Sequence, residues 1–161
     1  MVKIRPATSR DQEAIWSIIG PVIRAGEAYT LPADMMEIEA IRYWTGPDRH
    51  TFIAEDDGVV LGTYYLRANQ IGGGSHVANC GYMTDANAQH RGVARAMCEH
   101  SLNEAKRLGF LAMQFNFVVS TNERAVRLWL SMGFKEVGRL PLAFRRPTGS
   151  YTDALVMFRT L

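Results

Sequence analysis

Residues 88–98 read AQHRGVARAMC, and the pattern of the chain changes there. The preceding residues 76–84, HVANCGYMT, are typical of a strand, whereas the residues that follow have helical spacing. The first four backbone N–H groups of a helix lack partners within it, and the helix dipole adds partial positive charge. Because Gly92 and Ala94 present almost no side chain, a phosphate could come close to these groups. By itself, the junction is equally consistent with a capped helix whose glycine serves tight packing.

Hydrophobic periodicity and turn residues predict the elements on both sides of this junction. They are a strand at 2–5, a helix capped by Thr8 or Ser9, a helix over 34–44, strands at 51–55, 59–68 and 76–84, a helix over 92–107, a strand at 111–119, a helix capped by Asn122, and strands near 134–139 and 153–160. A long loop is expected between the last two strands, and Gly81 indicates a bulge or a close backbone approach. The order predicts one mixed α/β domain over residues 1–161.

The composition argues against several classes of function. The 161 residues carry a formal net charge of +2, and the scattered basic residues form no stripe for nucleic acid. Cys80 and Cys98 form neither a disulfide nor a zinc pattern, so no metal site is expected. No apolar run reaches the roughly 20 residues needed to span a bilayer, and no secretory segment is recognised. We therefore expect a cytoplasmic protein without membrane or nucleic-acid partners.

Two motifs narrow the interpretation of the junction. Gln89-His90-Arg91-Gly92-Val93-Ala94 resembles the Q/R-x-x-G-x-G/A signature of the GCN5-related N-acetyltransferase (GNAT) family, which holds the pyrophosphate of acetyl-coenzyme A. Asn122–Trp129, followed by Gly133-Phe134, resembles the second signature of this family, N-x-x-A-x-x-L-Y and then G-F. The order of elements resembles the family along the whole chain. The resemblance implies a predominantly antiparallel sheet with a splayed parallel pair, flanked by helices.

The resemblance also implies which residues bind acetyl-coenzyme A as the co-substrate. Backbone groups of Tyr82, Met83 and Thr84 would pair with the pantetheine arm, and Asn122 would contact the far part of that arm. The pyrophosphate would be wrapped by His90, Arg91, Gly92, Val93, Ala94 and Arg95.

The chain departs from the family where protons are transferred. Trp129 stands where many members have a tyrosine acid, and its indole N–H is only a donor. The splayed strands carry Asn79 and Asn116 where other members have a glutamate base. This pair resembles the site of fungal acetyltransferases that detoxify proline analogues such as azetidine-2-carboxylate. We expect Asn79 to polarise the thioester carbonyl and Asn116 to orient the acceptor or a water, unless both are polar strand residues satisfied by neighbouring backbone.

The resemblance predicts direct acetyl transfer to the amine of a small molecule or amino acid, with proline analogues among the candidates. A protein N-terminus or lysine is the alternative acceptor, and an acidic groove would favour it. The acidic residues available for such a groove are Glu27, Asp34, Glu37 and Glu39. A non-catalytic module that binds acyl-coenzyme A is a third hypothesis, because the usual tyrosine and glutamate are missing. Family members are often homodimers, so a second copy of the chain is an expected partner.

Overall fold

The computed structural model describes residues 1–161, and its helices and strands follow the predicted order. They are β1 (Lys3–Pro6), α1 (Gln12–Ala25), α2 (Glu37–Trp44), β2 (His50–Asp56), β3 (Val59–Ala68), β4 (Val77–Thr84), α3 (Val93–Arg107), β5 (Ala112–Val119), α4 (Glu123–Ser131), β6 (Lys135–Arg145) and β7 (Tyr151–Thr160). No helix combines the length and the apolar character needed to cross a lipid bilayer.

The seven strands form one sheet in the order β1-β2-β3-β4-β5-β7-β6. β4 and β5 are parallel, and every other neighbouring pair is antiparallel. Parallel neighbours need a crossover connection, and α3 supplies it. The predicted mixed α/β fold with one parallel pair is therefore confirmed.

Helices pack against both faces of the sheet. α3 and α4 cover one face, over a core of 21 buried residues that includes Tyr64 and Trp129. α1 and α2 cover the other face, over ten buried residues that include Trp44. Because side chains alternate along β4, Cys80 enters the first core and Asn79 faces the α1–α2 side.

β4 and β5 are paired only briefly and then separate. Their pairing consists of Val77 with Ala112 and Ala78 with Met113. Beyond these residues β5 stays paired with β7, and the register shifts between Phe115 and Val118. Such a bulge bends the strand that carries it. The resulting splay is open at the end of β4 that leads into residues 88–98.

Gly81 is not a bulge, and the group that comes close to its backbone is a side-chain ring rather than another backbone segment. β4 keeps a regular register with β3, in which Gly81 faces Tyr65. A Cβ atom at Gly81 would lie 2.7 Å from the Tyr65 ring, so only glycine leaves room for that ring. The bulge lies across the splay instead, at residues 116–117 of β5.

The long loop predicted before the last strand is also wrong. β6 runs to Arg145 and β7 begins at Tyr151, which leaves a short connection. β6 is an edge strand, and its register with β7 is irregular between Leu140 and Phe144. Pro141 is tolerated there because an edge strand has N–H positions that need no strand partner.

Candidate active site

Two cavities meet where β4 and β5 splay apart. The loop cavity, of about 260 Å³, is bounded by the α1–α2 connection, by β3 and β4, and by residues 115–119 of β5. The turn cavity, of about 490 Å³, is bounded by residues 88–95 and by α4. Both are lined by Tyr82, Asn122, Ala125 and Trp129. They therefore adjoin each other at the splay.

The turn cavity is built on the N-terminus of α3. Gly92 is the N-cap residue with φ of 75°, and no side chain caps this helix. His90 also has a positive φ, 65°, a conformation that is costly for a non-glycine residue and often marks a functional site. The first N–H groups of α3 therefore remain available to an anion.

Two arginines line the turn cavity. Arg95 donates from Nη2 to Ser131 Oγ over 2.8 Å. Arg124, which was not predicted, donates from Nη1 to Gln89 Oε1 over 3.0 Å. Since α4 contributes Arg124, positive charge reaches the cavity from two helices.

Arg91 is engaged outside the turn cavity. Its Nη2 lies 2.9 Å from Asp56 Oδ2, at the turn between β2 and β3. The amino group of Met1 lies 2.6 Å from the other oxygen of Asp56, and together the amine and Arg91 hold the pKa of Asp56 below its usual value. Arg91 therefore belongs to the segment 88–95 that bounds the turn cavity, but its own side chain does not line that cavity.

Most residues predicted to bind the co-substrate line the turn cavity. They are Tyr82, Thr84, His90, Gly92, Val93, Ala94, Arg95 and Asn122. Arg91 and Met83 do not, and the Met83 side chain is buried in the α1–α2 core. Arg124 and Leu128 line the cavity although no local pattern pointed to them, because the packing of α4 brings them there.

Alternate residues of β4 direct their backbone groups into the splay. The hydrogen bond from Asp85 N–H to Leu61 C=O fixes the alternation of the β3–β4 ladder. Backbone groups of Tyr82 and Thr84 therefore point away from β3 into the open side. Those of Met83 point toward β3, so Met83 cannot pair with a ligand in the splay as predicted.

A tyrosine from the α1–α2 connection occupies part of this open side. The Tyr29 hydroxyl accepts from Tyr82 N–H over 2.8 Å and donates to Tyr82 C=O over 2.8 Å. Burial raises the pKa of Tyr29, so the hydroxyl stays protonated near neutrality. No sequence pattern indicated this residue, because the contact joins segments 53 residues apart.

Asn79 lies at the vertex of the splay. Its side chain lines the loop cavity, and its Nδ2 donates to the Gln114 carbonyl over 2.9 Å. This bond joins β4 to β5 just beyond their last paired residues. Asn79 therefore both borders the cavity and links the two strands, as expected for a polar side chain satisfied by neighbouring backbone.

Asn116 lines the same cavity from β5 but is exposed. Its Nδ2 donates to Asn69 Oδ1 over 2.6 Å, and its Oδ1 accepts from Gln114 Nε2 over 2.9 Å. The structure thus brings the predicted pair of asparagines to one cavity, while each is also held by other groups of the chain.

Trp129 lies where the two cavities adjoin. Its ring centroid is 5.0 Å from that of Tyr82 and 4.9 Å from that of Phe115. Its indole N–H makes no hydrogen bond in the protein, unlike that of Trp44, which donates to Thr63 Oγ1 over 3.0 Å. The place where the two cavities adjoin therefore carries a free hydrogen-bond donor, which cannot release a proton near neutrality.

Several titratable groups of the loop cavity are held neutral. Burial raises the pKa of Tyr29, Tyr65 and Tyr82, and it raises the pKa of the Cys80 thiol to about 12. These groups cannot serve as bases near pH 7. No carboxylate and no histidine lines this cavity.

The acidic residues considered for a peptide groove line neither cavity. Glu27 Oε2 lies 3.5 Å from Arg146 Nε of the β6–β7 connection. Glu39 accepts a backbone N–H at the start of α2 over 3.1 Å. Asp34 and Glu37 are exposed.

Comparison with known proteins gives a matching family model and a curated relative. A family model described as "Acetyltransferase (GNAT) family" matches residues 17–134. The N-acetyltransferase aca1 of Schizosaccharomyces pombe is 31% identical over 111 residues, which cover 68% of this chain and 53% of that protein. The chain therefore spans about half the length of this curated relative.

Solved structures share the fold over nearly the whole chain. A GCN5-related N-acetyltransferase from Kribbella flavida is 40% identical with a TM-score of 0.94, and the match covers 99% of this chain and 98% of that one. The acetyltransferase yncA from Salmonella typhimurium, solved with acetyl-CoA, is 21% identical with a TM-score of 0.88, over 99% and 94% of the two chains.

Proposed function

Because the chain belongs to the GNAT family of acetyltransferases, we propose that it moves the acetyl group of acetyl-coenzyme A directly to the amine of a small molecule or amino acid. The observation that carries this proposal is the meeting of two cavities at the splay, with Tyr82 and Trp129 lining both. A donor in the turn cavity and an acceptor in the loop cavity would meet between these two residues.

The residues of the turn cavity fit a bound coenzyme A. The uncapped start of α3, Arg95 and Arg124 offer positive charge to a pyrophosphate. Backbone groups of Tyr82 and Thr84 offer strand-like pairing to the amides of a pantetheine arm. The yncA structure, which has the same fold, was solved with acetyl-CoA and supports this co-substrate.

Hydrogen bonding, rather than a protein base, would assist the reaction. The neutral amine attacks the thioester carbonyl carbon, the carbon–sulfur bond breaks, water takes the proton of the amine, and the departing thiolate gains a proton from water. The second Nδ2 hydrogen of Asn79 would donate to the developing oxyanion. Asn116 would orient the acceptor, and the Trp129 indole would donate to the departing sulfur.

The loop cavity favours a small acceptor. It is lined by aromatic rings, Tyr43 and Phe117 among them, and by no acidic residue that would attract a peptide amine or a lysine. Proline analogues such as azetidine-2-carboxylate are among the proposed acceptors, supported by the two asparagines of this cavity.

We place the protein in the cytoplasm as a homodimer. Cys80 and Cys98 are free and buried, which suits a reducing compartment. The edge strand β6 exposes Val137 and Leu142, at 60% and 64%, and an apolar edge of this kind can pair with a second copy. Light scattering of the purified protein would give the mass of a dimer.

The proposal is tested by incubating purified protein with acetyl-coenzyme A and a panel of amino acids, proline analogues, polyamines and peptides. We expect amine-dependent release of free thiol and an acetylated product by mass spectrometry. Binding of acetyl-coenzyme A without thiol release from any member of the panel would instead identify the non-catalytic module. Preferred acetylation of peptides would identify the protein acceptor.

A further inference from the structure

The loop cavity contains one charged side chain, Arg67 of β3. Its cross-strand partner is Asn79 of β4, so the two side chains stand on the same face of the sheet. Thr84, the last residue of β4 before the segment that leads to residues 88–95, lies five residues further along the strand than Asn79, which is about 17 Å at roughly 3.3 Å per residue. Arg67 is therefore too far from residues 88–95 to serve a pyrophosphate bound there.

The guanidinium of Arg67 makes no hydrogen bond in the protein. Its Nε is buried without a partner, although the side chain as a whole is 30% exposed. Its one ionic contact joins Nη1 to Asp48 Oδ2 over 3.6 Å, and Asp48 is 62% exposed. The same carboxylate lies 3.6 Å from Arg49 Nε, so it is shared between two cations. A long, exposed ion pair of this kind contributes little.

A guanidinium that lines a cavity with one long ionic contact and no hydrogen bond points to a ligand. Arginine carries five N–H donors in a planar fork that fits a carboxylate through two parallel hydrogen bonds. Of these donors only Nε is buried without a partner, whereas the two Nη groups keep accessible surface and can donate to a carboxylate in the cavity. No acidic side chain lines the cavity to supply one.

The other residues that line the cavity indicate the size and polarity of the rest of the ligand. Tyr29, Tyr43, Tyr65, Phe115 and Phe117 surround the cavity with aromatic surface. The volume of about 260 Å³ suits a small molecule. Arg67 is the one charged side chain in the lining, and its carboxylate neighbour Asp48 lies outside the lining. This arrangement disfavours a polyamine or a lysine side chain and favours a ligand with one negative charge.

We propose that Arg67 binds the carboxylate of the acceptor, which is therefore a small apolar α-amino or imino acid. This inference rests on the proposed acetyltransferase function. Arg67 would hold the carboxylate on β3, and the amine would lie toward Asn79 and the vertex of the splay. Arg67 is then a specificity-determining residue that orients the amine.

The test compares matched acceptors with and without the charge. L-alanine and L-proline are assayed against alaninamide and prolinamide, which replace the carboxylate by an uncharged group of similar shape. When rates are referred to the concentration of neutral amine, we expect kcat/KM for the acids to exceed that for the amides at least tenfold. Arg67→Gln should lower kcat/KM for the acids at least tenfold, mostly through KM, and change that for the amides less than threefold. Arg67→Lys should give an intermediate value for the acids, because it keeps the charge but loses the fork.

Arg107→Gln, at the far end of α3, is the control for loss of one exposed arginine and should leave all values unchanged. Affinity for acetyl-coenzyme A and the melting temperature should stay near wild type in Arg67→Gln; if that variant fails to fold, Arg67→Lys carries the comparison. Equal kcat/KM for acids and amides in the wild type, or equal losses for both in Arg67→Gln, would overturn the proposal while leaving acetyl transfer intact. If no acceptor caused thiol release, both this proposal and the proposed acetyl transfer would be overturned.

Discussion

Asn79 and Asn116 line one cavity but are held in different ways. Asn79 is buried and hydrogen-bonded to the Gln114 backbone, whereas Asn116 is exposed and bonded to other side chains. A buried carbonyl that loses its donor costs about 1–3 kcal/mol, and an exposed substitution usually changes stability by less than about 0.5 kcal/mol. The two residues should therefore respond differently to the same change.

We expect Asn79→Ala to lower the free energy of unfolding by about 1–3 kcal/mol, since the Gln114 carbonyl loses its donor. Its kcat should fall about 100-fold, the cost of removing an oxyanion donor. Asn116→Ala should keep wild-type stability within about 0.5 kcal/mol and act mainly by raising KM. Urea unfolding and steady-state kinetics check both variants. If Asn79→Ala leaves kcat unchanged, Asn79 has a structural role and no role in catalysis.

Tyr29 holds the backbone groups of Tyr82 that a pantetheine arm would use, so it competes with the co-substrate. Tyr29→Phe removes this competitor and should tighten binding of acetyl-coenzyme A about three- to tenfold, since a hydrogen bond contributes about 0.5–1.5 kcal/mol. Titration calorimetry measures the change. Tyr43→Phe, in the same cavity but without a hydrogen bond to β4, should leave Kd unchanged. Weaker binding by Tyr29→Phe would mean that the hydroxyl contacts the ligand.

At the scale of elements, Gly109 serves as a matched control for Gly92 at the start of α3. Gly92 and Gly109 both have positive φ, 75° and 87°, and a Cβ on either would meet no atom within 4 Å. Substitution of either glycine by alanine should therefore lower the free energy of unfolding by a similar amount, about 1–2 kcal/mol, because of backbone strain. Only Gly92 lines the turn cavity.

We expect Gly92→Ala to weaken binding of acetyl-coenzyme A at least tenfold, because a methyl group enters the space beside the uncapped N–H groups. Gly109→Ala should lose comparable stability and keep wild-type affinity. Calorimetry and urea unfolding on the two variants separate binding from strain. Equal affinities of the two variants for acetyl-coenzyme A would show that the start of α3 is not part of the binding site.

Elements with local signals were predictable, and those fixed by distant contacts were not. Asn122 was expected to cap α4, and its Oδ1 accepts from Ala125 N–H over 3.4 Å. The reason for Gly81 could not be read locally, because the Tyr65 ring belongs to the neighbouring strand. Pro141 suggested a loop, but its place on a sheet edge makes it compatible with β6. Tyr29 and Arg67 belong to the candidate site through tertiary packing, which no local pattern records.

At the scale of the whole molecule, the loop cavity, where the acceptor would bind, has neither a carboxylate nor a histidine in its lining. The raised pKa values of Tyr29, Tyr65, Tyr82 and Cys80 keep these groups neutral near pH 7. We therefore expect kcat/KM to rise with pH, about tenfold per unit, up to the pKa of the acceptor amine, since only its neutral form reacts. The pH–rate profiles of two acceptors should be displaced from each other along the pH axis by the difference between the pKa values of their amines. A common plateau near neutrality that disappears in His76→Gln or His90→Gln would contradict this expectation.

The adjoining cavities lie toward opposite faces of one sheet. The α1–α2 connection and Tyr43 of α2 border the loop cavity, whereas the first turns of α3 and α4 border the turn cavity. Two substrates could therefore arrive by separate entrances and be present together as a ternary complex. The buried Cys80 thiol, with its raised pKa, offers no relay for the acetyl group, which disfavours a double-displacement route. Each product could also leave through its own entrance, so departure of one need not wait for the other.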